Sequence, residues 1–503
     1  MPLRSQSRSL GVFAKFRRHR AVLAFATAVA LLTSPAAARA DKGGVPMIQL
    51  YVDDATGQVF TKPGPGRMPL GTFQRVEPPT DQHPVAPAVA PVPAAAPPAA
   101  PAAVAAPALH ASEEEVAGIV GRIFKNKWYE RISLRGYTQF RYTALLDKDS
   151  DADWFAPADR SVREGGGFLI RRGRMIFSGD LSDHLYIYIQ PDLNAAPSDG
   201  DFSVQLRDAY ADIAIDKKKE FRFRLGQSKV PFGWVNMQSS QNRLPLERPD
   251  PLNSAVEGER DLGVYFYWAP AKIRDRFRNL IKDGLKGSGD YGVFALGMYN
   301  GQGLNRLDSN DDLHVVTRLT YPFELPNGQF IEPGIQGMWG RFVTRRSAIP
   351  VGEEGANENP TDFDGGRTDR RIAATFVVYP QPVGFETEWT VGDGPQLVDG
   401  DTRIGTRTFW GGYVQAHYRT PFPYGSFIPF VRWQYQDGGR KFARNAPHAR
   451  VNEIDFGIEY APIPELEMTL MYTYTPYRTN TNSYPYEDIE DGSRLGMQVQ
   501  WNY

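Results

Sequence analysis

The amino-acid sequence predicts an all-β fold, a transmembrane antiparallel β-barrel of about sixteen strands, preceded by a signal peptide, a small hairpin, a Pro/Ala-rich linker and a short helix. Three observations predict this fold. From Arg131 to Tyr503, apolar and polar side chains alternate with the period of two that is typical of strands. Long and short connections alternate between these strands, and the chain ends on an aromatic residue within an alternating pattern.

The composition excludes several classes of protein. The 503 residues include 57 basic and 58 acidic side chains, a balance that does not favour nucleic-acid binding through a basic surface. The absence of cysteine excludes disulfides, zinc-thiolate sites and thiol nucleophiles. After residue 40 and outside the Pro-rich segment, no apolar stretch is long enough for a spanning helix. Barrel strands remain compatible with this polar average, because their lipid-facing and water-facing residues alternate.

Residues 1–40 have the three parts of a secretory signal peptide. A basic start precedes an apolar stretch from Ala21 to Leu32, and small residues end in Ala38-Arg39-Ala40. We expect cleavage after about Ala40, so that the mature chain begins at Asp41 and is exported to the bacterial outer membrane. The alternative is a retained membrane anchor, for which the apolar stretch is short.

Three segments separate the signal peptide from the barrel. Residues 41–77 form a small hairpin segment, because Ile48 to Phe60 reads as two short strands around an Asp-Asp-Ala-Thr-Gly turn. Residues 78–111 form a Pro/Ala-rich linker of extended polyproline geometry, either an inert spacer or a contact with the cell wall. Residues 112–128 contain a short amphipathic helix that opens with a capping box at Ser112.

Residues 129–503 are predicted to form the barrel. In the first strand Leu134 and Phe140 lie on one face, whereas Arg135 and Arg141 lie on the other. The predicted strands begin near residues 131, 167, 183, 203, 220, 260, 290, 312, 332, 369, 383, 407, 426, 450, 465 and 492. Connections after odd-numbered strands are mostly long (146–166, 229–259, 346–368, 392–406, 437–449 and 476–491). The segment 270–289 is a longer connection on the short side. One tight rim and one elaborated rim are typical of outer-membrane barrels.

The longest of these connections, residues 229–259, is predicted to fold into the barrel and constrict it. It has about thirty residues, far more than a hairpin requires, and such loops are usually functional or disordered. Its charged side chains Arg243, Glu247 and Arg248, with Arg260 at its exit, are the candidate constriction residues. The alternative is a salt-bridged network that only holds the loop in place, since mixed charges at this density often pair.

Basic side chains on the inner strand faces are the candidate pore-lining residues. Because arginine stays charged and binds phosphate or carboxylate as a bidentate fork, a series of arginines would guide anions. The alternative for each arginine is contact with lipid headgroups or pairing with an acid. The candidates are Arg135, Arg141, Arg172, Arg174, Arg222, Arg224, Lys229, Arg318 and Arg432.

Acidic side chains are also predicted on the inner faces, mostly in the second half of the wall. They are Asp208, Asp212, Glu386, Glu388, Glu453, Asp455, Glu459 and Glu467. Most of the basic side chains fall in the first half, so an electric field would run across the lumen from the basic to the acidic side. Such a field suits a general diffusion pore for polar solutes at least as well as a phosphate filter.

No enzyme motif is present. The sequence has no G-x-S-x-G elbow, H-E-x-x-H, P-loop or G-x-G-x-x-G before a helix, and its seven histidines are scattered. His417 is the one histidine that we place on an inner strand face, as an isolated polar residue. We therefore expect no catalytic residue, metal site or cofactor.

Several short motifs resemble the family of phosphate-selective porins O and P. They are Gly226 to Gly233 (GQSKVPFG), Glu247-Arg248, Arg260 to Gly263 (RDLG), and Tyr299 to Gly303 (YNGQG) followed by Asp308, Asn310 and Arg318. The resemblance covers roughly residues 131–503 and implies a sixteen-stranded channel, usually a homotrimer, that passes anions or other small solutes by diffusion. Phosphate specialists of the family are associated with lysine clusters as well as arginines, and Lys229 is the best candidate here.

Together these observations predict an outer-membrane porin with a water-filled channel for passive diffusion of small polar or anionic solutes, with phosphate among the candidates. Its partners would be outer-membrane lipid, the solutes and two further copies of the chain, and no nucleic acid. The alternative is a barrel-anchored envelope tether that contacts the cell wall through its N-terminal segment.

Overall fold

The computed structural model describes residues 48–53, 59–60, 67–73, 128–148, 166–194, 203–351, 356–362, 364–398, 402–480, 487–489 and 492–503. The chain divides into two units, residues 1–107 and residues 108–503. The predicted signal peptide, Pro/Ala-rich linker and short amphipathic helix lie outside the described residues.

The first unit contains a small three-stranded antiparallel sheet. Strands Ile48–Asp53 and Val59–Phe60 form the predicted hairpin, with Tyr51 opposite Phe60. A third strand, Arg67–Phe73, pairs with the other edge of Ile48–Asp53. The sequence interpretation missed this strand, because the run Pro63 to Gly66 before it favours irregular structure.

The second unit is a closed antiparallel barrel of sixteen wall strands, as predicted. The strands are β1 Ile132–Lys148, β2 Gly167–Asp180, β3 Leu185–Asn194, β4 Ser203–Ala214, β5 Phe221–Lys229, β6 Arg260–Trp268, β7 Phe294–Tyr299, β8 His314–Thr320, β9 Phe330–Phe342, β10 Arg367–Val378, β11 Val383–Val398, β12 Arg403–Tyr418, β13 Gly425–Gly439, β14 His448–Ile463, β15 Leu466–Asn480 and β16 Gly492–Asn502. Short strands Phe323–Glu324, Thr420–Phe422 and Glu487–Ile489 extend the pairing of β9, β13 and β15. A separate two-stranded sheet, Ile349–Val351 with Ala356–Glu358, lies within the connection between β9 and β10.

The barrel closes where β16 pairs with β1. The last residue takes part, because the Tyr503 N–H donates to the Gly136 carbonyl at 2.9 Å and the Gly136 N–H donates to the Tyr503 carbonyl at 2.6 Å. A Cβ at Gly136 would lie 2.5 Å from the Tyr503 ring, so the aromatic ring requires glycine beneath it. The terminal aromatic therefore belongs to the seam of the barrel.

Every wall strand exposes large apolar side chains on its outer face. Leu134, for example, is 62% exposed, and Trp339 is 69% exposed. One such side chain from each strand is given by Leu134, Met175, Ile189, Ile213, Leu225, Val264, Leu296, Leu319, Ile335, Ile372, Val391, Trp410, Val431, Phe456, Leu470 and Met497. A continuous apolar band around a barrel is the surface that faces hydrocarbon. The alternation in the sequence therefore predicts the outer face correctly.

The two ends of the barrel differ in the length of their connections. Short turns at residues 181–184, 215–220, 379–382 and 464–465 define the short-turn end, and the longer connections define the long-loop end. Two predicted loops, 392–406 and 437–449, are shorter in the structure, because the ladder continues to the pairs Val398↔Arg403 and Gly439↔His448. Proline and glycine ordinarily weaken a strand, but the cross-strand pairing continues through Gly392, Gly394 and Pro395.

Helices occupy only a small part of the described residues. They are α1 Trp234–Met237, α2 Asp250–Asn253 and α3 Ala271–Lys282, with 3₁₀ turns at Trp128–Arg131 and Glu257–Glu259. No helix in this part of the chain is long and apolar enough to cross a membrane. Helix α3 lies in the connection between β6 and β7, the one long connection at the short-turn end.

Candidate functional site: the barrel lumen

The connection between β5 and β6, residues 230–259, folds into the barrel; we call it the inserted loop. Most of its side chains are buried, and α1 and α2 lie within it. Gly233, immediately before α1, has φ of 86°, a backbone conformation that residues other than glycine rarely adopt. This glycine, part of the GQSKVPFG motif, permits the turn that directs the chain away from the end of β5.

Apolar side chains of the inserted loop pack against the inner wall on several sides. Phe232 and Val256 contact a cluster from β6 to β10 that includes Tyr265. Trp234, Val235 and Leu252 pack with Val377 of β10 and Tyr413 of β12, and Leu244 and Leu246 pack with Ile428 and Phe430 of β13 and Met471 of β15. Each buried large side chain contributes about 1.5–3 kcal/mol by leaving water. The loop is therefore a packed element of the lumen.

Glu247 is the main polar attachment of the inserted loop to the first two strands. Its carboxylate accepts bonds from Arg141 Nη1 at 2.9 Å, Arg171 Nε at 2.8 Å and Arg172 Nη2 at 2.7 Å. Its backbone carbonyl accepts a bond from Arg432 Nη1 at 2.7 Å. Burial alone would raise the pKa of Glu247, but the three arginines outweigh it and hold the pKa well below its ordinary value.

A second network surrounds Glu259 at the loop exit. Arg243 Nη2 lies 3.0 Å and Arg248 Nε 2.8 Å from its carboxylate, and Arg260 also pairs with it. Lys229 Nζ lies 3.3 Å away and donates to the carbonyls of Met237 at 3.0 Å and Gln238 at 2.8 Å. Burial would raise the pKa of Glu259, but these cations lower it well below its usual range. All four candidate constriction residues thus take part in two ion-pair networks that hold the loop.

The acidic side chains of the second half of the wall are covered by the inserted loop. Glu388 accepts the backbone N–H groups of Trp234 at 2.8 Å and Val235 at 3.2 Å. Glu332 accepts a bond from Trp234 Nε1 at 3.2 Å and pairs with Arg318 at 3.2 Å. Further along, Asp455 pairs with Arg432 and Glu453 with Arg494. Glu332, Glu388, Glu453 and Asp455 are each at most 1% exposed.

The connection between β6 and β7, residues 269–293, covers the same half from the short-turn end; we call it the inner turn. Leu280 and Leu285 join the apolar cluster around Trp234. Lys286 Nζ reaches Glu459 of β14 at 2.5 Å and Glu467 of β15 at 3.7 Å. Gln238 Nε2 of the inserted loop donates to the Lys286 carbonyl at 2.6 Å. The inserted loop and the inner turn therefore cover the acidic half together.

A cavity of about 530 Å³ remains on the opposite side, against β1 to β6; we call it the basic cavity. It extends from the short-turn rim to Met237, Ser239, Gln241 and Asn242 of the inserted loop. Its acidic lining residues are Asp180, Asp208, Asp212 and Asp290. Its basic lining residues outnumber them and are Arg135, Arg174, Lys218, Lys219, Arg222, Arg224, Lys229, Arg260, Arg274 and Arg278.

The candidate pore-lining residues divide between these two environments. Arg135, Arg174, Arg222, Arg224 and Lys229 line the basic cavity. Arg141, Arg172, Arg318 and Arg432 are buried beneath the inserted loop, each paired or hydrogen-bonded to an acid. Within the cavity, Arg174 pairs with Asp192 at 2.9 Å and Arg224 with Asp212 at 2.7 Å.

Three features of the site were not predicted from the sequence. Arg171 faces inward together with Arg172, because a register shift opposite Gln139 and Phe140 interrupts the alternation. Lys286 lies in a connection that seemed only an irregular turn. Tyr186, Tyr188 and Tyr210 line the basic cavity, although the interpretation had followed charged residues alone. The inward alternation of Tyr186 and Tyr188 was a usable signal for this aromatic surface.

His417 is buried on the inner face of β12, where the sequence places it. Neither ring nitrogen has a hydrogen-bond partner among the described residues. Within the same part of the chain, no group of three histidine, aspartate or glutamate side chains could hold a metal ion.

The chain is similar to known proteins in sequence and in structure. The model of the family of phosphate-selective porins O and P matches residues 146–503. No curated protein matches the chain. Among solved structures, in-vitro folded OmpT of Vibrio cholerae, an outer membrane protein in a trimer form, is 10% identical, with a TM-score of 0.46 over 74% of this chain and 99% of that chain.

Two further solved structures are similar. The outer membrane channel DcaP of Acinetobacter baumannii is 13% identical, with a TM-score of 0.44 over 74% of this chain and 97% of that chain. An anion-selective porin from Comamonas acidovorans is 12% identical, with a TM-score of 0.43 over 74% of this chain and 99% of that chain.

Proposed function

The chain belongs to the family of phosphate-selective porins O and P and is an outer-membrane channel, and we propose that it passes small anions by passive diffusion along the basic side of its lumen. The observation that supports this selectivity is the unequal covering of the two halves of the wall. Basic side chains line the open cavity, whereas most of the acidic side chains of the second half lie beneath the inserted loop and the inner turn.

The basic cavity attracts anions because its positive side chains outnumber its negative ones within a narrow, low-dielectric enclosure. Such an enclosure concentrates the field of its lining charges and raises the local concentration of counter-ions. Some basic side chains of the cavity pair with its acids, as Arg224 does with Asp212 and Arg260 with Asp208, but Arg135 and Lys218 have no ion-pair partner among the described residues. The remaining field is therefore positive.

A general diffusion pore, the alternative that the mixed inner charges suggested, requires the acids to face the solute. Glu388 and Glu332 instead accept bonds from the loop backbone and Trp234, and Glu459 pairs with Lys286. An ion pair covered by protein contributes little to the potential in the open cavity, because its two charges nearly cancel at a distance. The structure therefore favours anions over uncharged polar solutes.

Individual roles follow from this division. We assign solute guidance to Arg135, Arg174, Arg222, Arg224 and Lys229, which line the cavity. We assign retention of the inserted loop to Arg141, Arg172, Arg318 and Arg432. Arg243, Glu247, Arg248 and Arg260 set the position of the loop and with it the width of the passage. Phosphate and carboxylates both match the arginine fork, so phosphate belongs among the solutes.

The remaining features of the proposal concern export and assembly. The signal peptide is cleaved after about Ala40, the apolar band contacts outer-membrane lipid, and three copies form a homotrimer, the usual assembly in this family. Residues 78–111 and 112–128 stay predicted as linker and helix, and residues 41–77 as the segment that contains the hairpin. Neither the barrel nor the family match supports the alternative of an envelope tether. That hypothesis would be supported if deletion of residues 41–125 caused cells to lose envelope integrity.

Reversal potentials in planar bilayers test the anion preference. Across a potassium chloride gradient the purified protein should show a potential of the sign given by excess chloride permeability. Arg135→Glu should lower the chloride-to-potassium permeability ratio roughly twofold, because it reverses one charge in the cavity. Arg131→Glu is the matched control, since Arg131 is exposed outside the cavity at the same rim and bonds the Leu181 carbonyl. Cation preference in the unsubstituted protein would overturn the proposal.

A further inference from the structure

Tyrosine side chains form one side of the basic cavity. Each of these lining tyrosines is partly exposed; they are Tyr186 and Tyr188 of β3, Tyr210 of β4 and Tyr291 of the inner turn. Ile189, the residue after Tyr188, belongs to the apolar band on the outside of the barrel. Because side chains alternate between the two faces of a strand, the tyrosines of β3 face the lumen and not the lipid. They therefore lie apart from the interfacial girdles in which aromatic residues are common in such barrels.

Two of these rings and two further side chains form a row across four neighbouring strands. The rings of Tyr188 and Tyr210, which lie opposite each other, are nearly parallel, with centroids 5.1 Å apart and planes 8° apart. The Arg224 guanidinium of β5 lies 3.8 Å from the centroid of the Tyr210 ring and 5.0 Å from that of the Tyr267 ring on β6. Tyr267 is fully buried, so Tyr188 is the end of the row that meets the cavity.

Tyr186 and Tyr188 offer aromatic surface to a solute. Among the described residues, Tyr188 stacks on the Tyr210 ring alone, and Tyr186 contacts no other ring. The two side chains lie two positions apart on one strand face, which separates them by roughly 6.6 Å along the strand. Aromatic rings pack favourably against the faces and edges of other rings. A solute with a ring of its own therefore gains a contact here that a solute without a ring does not.

A cation lies on the neighbouring part of the wall. Arg135 of β1 lines the cavity, is exposed and has no ion-pair partner among the described residues. Only β2 separates β1 from β3, so Arg135 lies roughly 10 Å across the sheet from Tyr188, a distance that its side chain and a small solute span together. The acids of the cavity do not compete for Arg135, because each has a basic partner. The pairs are Asp180 with Lys219, Asp208 with Arg260, Asp212 with Arg224 and Asp290 with Arg274.

An anion that carries an aromatic ring matches both elements of this wall. Its ring packs on tyrosine, and its carboxylate binds the two-pronged edge of a guanidinium group. Small-ligand sites usually combine apolar and aromatic lining with a few polar groups that fix orientation, in a volume of about 300–1,000 Å³. The basic cavity, at about 530 Å³, has this size and this lining.

We propose that the basic cavity contains a binding site for aromatic carboxylates, with Tyr186 and Tyr188 contacting the ring and Arg135 binding the carboxylate. This inference rests on the anion preference proposed above and adds a selection among anions of equal charge. Inorganic anions and aliphatic carboxylates use the charge of Arg135 alone, whereas aromatic carboxylates also use the tyrosines. They are therefore retained longer in the lumen.

Benzoate and cyclohexanecarboxylate test the site in the unsubstituted protein. The two anions have the same charge and nearly the same size, but only benzoate has an aromatic ring. Each is added to both sides of a planar bilayer, and the concentration that halves the potassium chloride current is measured. We expect this concentration to be about fivefold lower for benzoate, the size of effect that aromatic packing gives. Equal half-blocking concentrations would overturn the proposal, and this result does not depend on the folding of any variant.

Variants then locate the site. The double variant Tyr186→Leu with Tyr188→Leu removes both rings and should bring the two half-blocking concentrations together, whereas Tyr186→Phe with Tyr188→Phe keeps the rings and should retain the fivefold difference. Tyr472→Leu is the matched control, because Tyr472 lies on the outer face of β15 and is 37% exposed. A fivefold difference that persists in the double leucine variant, or that is lost in Tyr472→Leu, rejects the assignment to these tyrosines.

The charge is tested separately from the ring. Arg135→Gln should raise the half-blocking concentrations of both carboxylates about threefold without changing their ratio, the size expected for an exposed ion pair. Unchanged half-blocking concentrations in this variant would contradict the role of Arg135.

The reversal potential of the unsubstituted protein, measured in the same bilayers, separates this inference from the proposed function. Preference for chloride together with equal block by the two carboxylates refutes the aromatic site alone. Preference for potassium refutes the proposed function and this inference with it.

Discussion

The two halves of the barrel wall have the same pattern of residues but different exposure. On β1 to β6, inner side chains such as Arg135, Arg222 and Arg224 line an open cavity. On β9 to β15, inner side chains such as Glu332, Glu388 and Asp455 are fully covered. The difference arises from two connections, the inserted loop and the inner turn, which together cover the second half and leave part of the first half open. Alternation within strands decides which residues face inward, and the connections decide which of them meet the solute.

The largest expected effect comes from detaching the inserted loop. In Glu247→Ala, the buried guanidinium groups of Arg141, Arg171 and Arg172 lose their shared carboxylate. Breaking a buried ion pair in this way costs about 3–5 kcal/mol, which loosens the part of the loop that is attached to β1 and β2. We expect larger single-channel conductance and more current fluctuation with no loss of anion preference, because three guanidinium groups are left without their carboxylate. Planar-bilayer recordings measure all three quantities.

Glu257→Ala is the control for this prediction. Glu257 lies in the same loop but is partly exposed and pairs with Arg306 at 2.8 Å. An exposed pair contributes at most about 1 kcal/mol, so conductance and selectivity should stay close to those of the parent. If Glu257→Ala opened the channel as much as Glu247→Ala, the buried attachment would not be what holds the loop.

A smaller effect is expected when the inner turn is released from the acidic half. Lys286→Met removes the cation that faces Glu459 and Glu467 and leaves these carboxylates without their partner in the turn. The chloride-to-potassium permeability ratio should fall roughly twofold, because negative charge then acts on the short-turn mouth. Lys282→Met, a change of an exposed lysine at the end of α3, is the matched control and should leave the ratio unchanged. Equal ratios in both variants would contradict the covering role of Lys286.

The sequence predicts the strands of the barrel wall well, but it does not predict which inner side chains the inserted loop and the inner turn cover. The period-two pattern is local, so it locates the sixteen strands and the inward faces of Arg224, Glu388 and Asp455 without tertiary information. It also identifies the inserted loop by length. The local pattern cannot show which side chains Glu247 and Lys286 contact, because their partners lie on strands that are distant in sequence. The bulge that turns Arg171 inward depends on cross-strand register, which no local pattern specifies.

Neutralising one acid in each half of the wall tests whether only the uncovered acids affect ion selectivity. Asp180→Asn removes a half-exposed carboxylate from the lining of the basic cavity, and the chloride-to-potassium permeability ratio should rise by about a quarter. Glu388→Gln removes a carboxylate that is fully covered, and its amide oxygen can still accept the Trp234 N–H, so the ratio should not change. Reversal potentials measured at one salt gradient compare the two variants. An equal rise in both would mean that the covered acids also act on the solute.

The smallest expected effect is the change in conductance when moderate acid acts on the inserted loop. The pKa of Glu247 lies well below its ordinary value: burial would raise it, but Arg171, Arg172 and Arg141 outweigh that contribution. A carboxylate with a lowered pKa stabilises the folded state above its unfolded pKa of about 4.3, and this contribution is lost as pH falls toward the folded value. Single-channel conductance should therefore stay constant from pH 8 to about 5 and rise only in stronger acid. Glu247→Gln, whose side chain does not titrate, should lack that acid-dependent rise, and a transition in the parent near neutral pH would show that the loop is held by other groups.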